Sequence, residues 1–212
     1  MADEKAYLRN ILKECRSALR ADFVVSASRD VQTRLLALAD YQAATTVVLY
    51  AASHNEVATD LLLRDSLARG RRVLFPRMEG RRDRLALAVV CDHTELRPGA
   101  FGILEPPAEA PAIAPLDIGP ALVCVPGLGF ASNGTRLGRG GGHYDRLLAE
   151  LDTRTNTVGL AYSFQLVERI PQTASDRRLY YVVTEFAIHW AGDASRPADG
   201  HAEQGGTARW NG

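Results

Sequence analysis

The residues best able to do chemistry lie between Pro126 and Asp145, in the run P-G-L-G-F-A-S-N-G-T-R-L-G-R-G-G-G-H-Y-D. Seven of the chain's 18 glycines fall between positions 127 and 142, with Arg136 and Arg139 among them. Glycine lets backbone N–H groups turn inward with no Cβ in the way, and a helix start adds unpaired donors at a positive dipole end. Arginine can fork two N–H groups onto phosphate oxygens. Together these features suit a polyphosphate. The bland alternative is a flexible connection without a ligand, although long glycine loops inside compact domains are usually functional. The loop matches neither common glycine fingerprint. A Walker A loop ends in Gly-Lys-Ser/Thr and no lysine occurs here, while a dinucleotide loop needs glycine where His143 stands.

The elements around the loop follow from apolar patterning. Ala121–Val125 leads in as a buried strand, and the periodic run from Tyr144 leads out into a helix over 143–152. Upstream, residues 4–20 read as an amphipathic helix with Leu8, Ile11, Leu12, Cys15 and Leu19 as its apolar stripe. Lys5, Arg9, Lys13 and Arg16 form a neighbouring basic stripe at i, i+4 spacing, which pattern alone assigns to a solvated face. A second helix is expected over Ser28–Asp40, then a strand over Thr45–Ala51. Thr59 is placed to cap a helix running to Arg69, with Gly70 at its end. Further strands are expected at Arg72–Arg77, Leu85–Val90, Thr157–Tyr162 and Leu179–Thr184. Pro106–Pro120 holds five prolines and reads as an irregular crossing. Residues 1–190 form one expected domain, and 191–212 read as a disordered polar tail.

Strands alternating with helices predict a three-layer α/β/α fold with a mostly parallel sheet. Ligands then bind beyond the carboxyl ends of the strands. At 212 residues and 46% hydrophobic, the chain can bury a sizeable core. Basic and acidic residues balance at 25 each, which argues against a broad nucleic-acid surface. There is no run of eighteen apolar residues, so no membrane span is expected. Cys15, Cys91 and Cys124 are widely spaced without C-x-x-C, as expected of reduced thiols in a cytoplasmic protein, and zinc is not expected. His54, His93, His189 and His201 show no metal-ligand spacing. Of 25 basic residues only Lys5 and Lys13 are lysine, so a single arginine is weak evidence of function here.

The loop closely resembles the 5-formyltetrahydrofolate cyclo-ligase (5,10-methenyltetrahydrofolate synthetase) family, with its P-G-x-x-F-x-x-x-G-x-R-L-G-x-G-x-G-x-Y-D element. Every fixed position is matched from Pro126 through Asp145. The likeness extends to Lys5-x-x-x-Arg9, Tyr50–Thr59 with Glu56, Val73–Arg77, Gly99–Pro106, and Gly159–Tyr162 with Gln165. It covers roughly residues 5–190 in order. The resemblance implies a fold akin to sugar-phosphate isomerases and CoA transferases. It also implies ATP-dependent cyclisation of 5-formyltetrahydrofolate to 5,10-methenyltetrahydrofolate, with Mg²⁺ as the metal and the chain a monomer or weak homo-oligomer.

The same resemblance implies roles for particular residues. Lys5, Arg9, Arg136, Leu137, Gly138, Arg139, Gly140, Gly141, Gly142, His143 and Tyr144 bind ATP. Ala51, Glu56, Arg139 and Tyr144 bind the folate, Asp145 holds Mg²⁺, and Lys5, Arg139 and Tyr144 act in catalysis. The plain readings remain alongside: Asp145 as a helix-dipole partner, Glu56 as a loop acid, Tyr144 as packing. Two departures from the family stand out. His143 replaces a tyrosine, and Tyr180 occupies the later aspartate of a D-x-x-x-D-x-V-V-T-E pattern expected to supply a second Mg²⁺ carboxylate. The second departure keeps open a relative that binds without turning over; an isomerase of phosphorylated sugars on the same fold is the other rival. The seven arginines of 69–84 read as a solvated hairpin region, or alternatively as contacts for a folate's anionic glutamate tail.

Overall fold

The computed structural model describes residues 2–80 and 84–192. Alternation of apolar side chains builds its core. Along β1 (Thr46–Val48) and its extension, Val47 and Leu49 enter one apolar cluster while Val48 enters another. The same parity holds in β2 (Arg72–Glu79), where Val73 and Phe75 oppose Leu74. It recurs in β6 (Leu122–Val125), where Leu122 and Cys124 oppose Val123 and Val125. Strands apolar on both sides must be covered on both sides. α2 (Ala21–Leu36), α3 (Ala39–Ala43) and α4 (Asp60–Ala68) supply Val31, Leu35, Tyr41 and Leu62 to the first cluster. Leu147 of α5 (His143–Ala149) enters the second.

The seven-stranded sheet has the order β11-β10-β9-β6-β1-β2-β3, with β3 (Arg84–Val89), β9 (Asn156–Leu160), β10 (Tyr181–Val183) and β11 (Ile188–Trp190). The five inner strands run parallel. The edge strands β3 and β11 pair antiparallel. The expected mostly parallel α/β sheet is therefore present. A hairpin of β4 (Arg97–Pro98) and β5 (Leu104–Glu105) and another of β7 (Gly129–Phe130) and β8 (Arg136–Leu137) stand outside it. α1 (Ala2–Ser17) packs Leu12 on the second hairpin in a third cluster with Leu128, Leu137 and Ile170. A Cβ at Gly129 would lie 2.6 Å from Leu12 Cδ1, so glycine there allows the helix its approach.

Several boundaries differ from expectation. The second helix spans Ala21–Leu36, not Ser28–Asp40. Ser28 resembles a helix start signal, but its hydroxyl is buried in tertiary bonds, 3.0 Å from the Tyr162 hydroxyl and accepting from Ala58 N at 3.1 Å. Thr59 does occupy the N-cap position of α4 without capping it; its hydroxyl donates to Tyr50 O at 2.7 Å. Gln32 Oε1 accepts from Leu61 N instead, at 2.9 Å. α5 ends at Ala149 rather than 152, and β11 has no counterpart among the expected strands. Pro106–Pro120 is irregular apart from an isolated bridge of Ile113 to Leu87 and a 3-10 turn at Pro115–Ile118. The tail expected from 191 lies, from residue 193 onward, outside the described residues.

Candidate active site

The glycine loop leaves β8 and reaches α5 through two positions that L side chains rarely adopt, Gly140 at φ +111° and Gly142 at φ +65°. Beneath it lies Arg136, whose side chain is 4% exposed. Its guanidinium donates to Pro126 O at 3.4 Å and Asp145 Oδ1 at 3.2 Å, and stands 5.5 Å from the Tyr144 ring centre. A Cβ at Gly138 would meet Arg136 Nη1 at 2.7 Å, so only glycine lets the loop cross that arginine unshifted. From α1, Arg9 Nε donates to Gly138 O at 2.9 Å, and Lys5 Nζ bonds Asp176 Oδ2 at 2.6 Å. One helix face thus brings one cation onto the loop and another onto Asp176. Asp145 Oδ1 also accepts from Arg177 N at 3.4 Å.

The opposite wall is the turn after β1. His54 and Asn55 have φ of 51° and 58°, and Glu56 N closes the turn on Ser53 O at 3.0 Å. Glu56 Oε2 accepts from Ser53 N at 3.0 Å and from Ser53 Oγ at 3.2 Å. Its Oε1 accepts from Arg139 at 2.9 Å and lies 3.5 Å from Arg16 Nη1. Arg139 thus joins the glycine loop to the carboxylate wall across 83 residues of sequence. Arg16 donates to Gly127 O at 3.1 Å.

Burial adjusts the acidities here. It pulls the Arg16 guanidinium down, with the Glu56 charge opposing. It pushes the Tyr144 phenol well up, and the charge of Glu56 adds to the rise. For Asp176, burial pulls upward, but the bond from Lys5 and the Thr173 N–H outweigh it, so the carboxyl sits below its ordinary value.

These groups border one cavity of about 820 Å³, within the roughly 300–1,000 Å³ typical of small-molecule sites. Lys5, Arg9, Arg136, Arg139, Arg146 and Arg177 line it with Glu56, Glu105, Asp145 and Asp176, a formal excess of two positive charges among the described residues. Its apolar lining includes Tyr50, Ala51, Met78, Phe101, Ile103 and Tyr144. Every residue to which the sequence assigns a role lines this cavity: Lys5, Arg9, Ala51, Glu56, Arg136 through Asp145.

Two contributors are not evident from sequence. Periodicity groups Arg16 with a solvated stripe, yet its side chain is 3% exposed and contacts both walls. Asp176 lines the cavity, whereas Tyr180 does not and packs on the first core cluster. Asp176 is the first aspartate of the same D-x-x-x-D pattern, four residues before Tyr180. The signal for it is present in the sequence, since Asp176 opens that pattern. Among the described arginines of 69–84 none lines the cavity; Arg71 lies over Tyr41, Arg77 donates to Ala110 O at 2.7 Å, and Arg84 pairs with Glu150. Arg81 and Arg82 lie outside the described residues.

A mostly parallel sheet carrying a cation-lined glycine loop, with a carboxylate bordering the same cavity, defines an α/β protein with a net-cationic cleft of small-molecule size. The chain belongs to the 5-formyltetrahydrofolate cyclo-ligase family, whose family model matches residues 1–185. It is 26% identical over 196 residues to the mouse 5-formyltetrahydrofolate cyclo-ligase, covering 85% of this chain and 93% of that one. The solved 5,10-methenyltetrahydrofolate synthetase of Aquifex aeolicus superposes with a TM-score of 0.77 at 33% identity, covering 93% of this chain and 97% of the other. That of Mycoplasma pneumoniae, at 23% identity and a TM-score of 0.69 over 86% and 99% of the two chains, shares the fold.

Proposed function

We propose that this protein cyclises 5-formyltetrahydrofolate to 5,10-methenyltetrahydrofolate at the expense of ATP. The observation that carries this reading is the Arg139–Glu56 contact of 2.9 Å, which brings the phosphate-type wall and the carboxylate wall into one cavity. Lys5, Arg9 and Arg136 neutralise the phosphates, while Gly138–Gly142 let the backbone approach them closely. Glu56 accepts paired N–H bonds from the pterin edge, and Ala51 with Tyr144 forms the apolar wall beside it.

The chemical difficulty is that a formamide oxygen leaves poorly. With both substrates held in line, the formyl oxygen attacks the terminal phosphorus and ADP departs. Nitrogen 10 then attacks the activated carbon and loses its proton, and phosphate leaves with the former formyl oxygen. The chain contributes placement and charge neutralisation, which together account for most of the catalysis in phosphoryl transfer.

Asp145 and Asp176 suit a hard divalent cation, since Mg²⁺ commonly takes one or two carboxylates plus phosphate oxygens. Both line the cavity, and their side chains keep 20% and 16% of their surface exposed, so each can present oxygen to a cation there. When bound, Mg²⁺ would neutralise charge on the phosphates. Tyr180, the residue that keeps open a non-catalytic relative, packs on the first core cluster and does not line the cavity, whereas Asp145 and Asp176 do. Free Cys15, Cys91 and Cys124 fit a reducing, cytoplasmic setting, and no helix among the described residues is long and apolar enough to cross a membrane. The test is a near-ultraviolet absorbance assay for methenyl product with folded protein. Product dependent on both ATP and Mg²⁺ supports the reading, and its absence overturns it.

A further inference from the structure

The cleft's acceptor for the folate is largely occupied. Glu56 Oε2 holds the Ser53 N–H and hydroxyl, and Oε1 holds Arg139 with Arg16 close by at 3.5 Å. A carboxylate offers roughly four lone-pair positions. Two parallel bonds from a heterocycle edge can therefore form only if a present partner withdraws. On Oε2 the Ser53 hydroxyl, at 3.2 Å, can rotate aside; on Oε1 burial decides which cation makes room. The Ser53 N–H is held in place by the turn that Glu56 N closes on Ser53 O. Arg16 is 3% exposed and tethered to Gly127 O, so moving it would strand a buried charge. Arg139 is 44% exposed, and its remaining contacts are Ser53 Oγ at 3.0 Å and His54 Nδ1 at 3.5 Å. Although Glu56 itself is 10% exposed, the guanidinium end of the pair is open to water and is the partner that can exchange its bond.

We propose that Arg139 is a displaceable plug in the Glu56 seat, ejected when folate binds and thereby released to the phosphate side of the cleft. This inference rests on the folate and ATP reading given above. Arg16 remains as the permanent cation beside Glu56, so the seat keeps its charge balance after the plug leaves. Two consequences follow. Folate alone must compete with Arg139, and folate and nucleotide reinforce each other's binding by the same factor in both directions.

The decisive experiment is calorimetric titration of the full chain and of Arg139→Ala with 5-formyltetrahydrofolate, first alone and then with saturating β,γ-imido-ATP and Mg²⁺. Without nucleotide, the variant should bind folate about two- to fivefold more tightly, because an exposed ion-pair competitor has been removed. With nucleotide, folate binding by the unaltered protein should tighten about fivefold or more, against about twofold or less in the variant. Weaker folate binding by the variant alone makes Arg139 a direct folate contact and overturns the plug. Absence of coupling in the unaltered protein overturns it as well. The absorbance assay separates this from the parent reading: product formation with either adverse titration leaves the function standing while the plug falls. A protein that neither binds folate nor forms product loses both.

Discussion

Replacing Arg16 by methionine tests the claim that a buried arginine joins the two walls of the cleft. Methionine fills similar length without charge. The variant loses a charge-assisted bond to Gly127 O at 3.1 Å, a class worth about 1.5–3 kcal/mol. It also sheds the cost of burying a guanidinium, the main reason that group's pKa is lowered. No polar atom is orphaned: Gly127 O keeps Gln165 Nε2 at 2.9 Å, and Glu56 keeps Arg139. The net expectation is therefore a modest loss of about 1–2 kcal/mol, or a fall of about 2–8 °C in Tm for a chain of this size. The functional loss should be lopsided. Glu56 loses a neighbouring cation, so the KM for 5-formyltetrahydrofolate should rise roughly tenfold, equivalent to about 1.4 kcal/mol. The KM for ATP should stay within about twofold, and Arg16→Lys should restore part of the difference. Thermal unfolding and steady-state absorbance kinetics read both effects. Equal rises in both KM values, or an unchanged Tm, would refute the clamp.

Other perturbations read other parts of the site. Gly140→Ala has room for its methyl, 3.8 Å from Arg9, so its cost of about 1–3 kcal/mol comes from the φ of +111°; nucleotide affinity measured by calorimetry should drop at least about tenfold, and an unchanged value would sink the cradle. Asp176 has a folded pKa below its unfolded value of about 3.9, so the stability it contributes is present above that pH and lost as pH falls through the folded pKa. Asp176→Asn should accordingly be the less stable protein near neutrality in urea titrations, with the gap closing below about pH 4; a gap independent of pH would exclude the Lys5 pairing as its source. Burial pushes the Cys124 thiol up and shields it, while Cys15 and Cys91 are exposed. A thiol reagent should label the latter two in native protein and all three after denaturation, and fast native labelling of Cys124 would contradict the core placement.

Much of this site was legible because its parts are local. The glycine spacing, Arg136, Arg139 and Asp145 sit within twenty consecutive residues, and Lys5 and Arg9 share a face through helical periodicity alone. The inner strands announced themselves by continuous apolar runs, as in Leu122–Val125. Hydroxyl residues misled where tertiary contacts outbid local ones. Thr59 stands at the expected cap position of α4, yet its hydroxyl serves Tyr50 O; Ser28, where the second helix is expected to begin, lies inside it with its hydroxyl serving Tyr162 and Ala58. The short edge strand β11 carries too little pattern in Ile188–Trp190 to stand out.

What the amino-acid order determined by itself was the sheet's apolar framework, the glycine loop and the family to which both point, since each rests on spacing along one stretch of chain. Only the folded chain decided that Arg16 is a buried clamp rather than a surface charge, that Asp176 and not Tyr180 reaches the cleft, and that Arg139 rests on Glu56. Lys5 meets Asp176 across 171 residues, and Arg16 meets Gly127 across 111. Long charged side chains take their partners from whatever the packing of distant elements leaves within reach. Periodicity in a sequence reports which face is apolar, but not which cation that packing encloses.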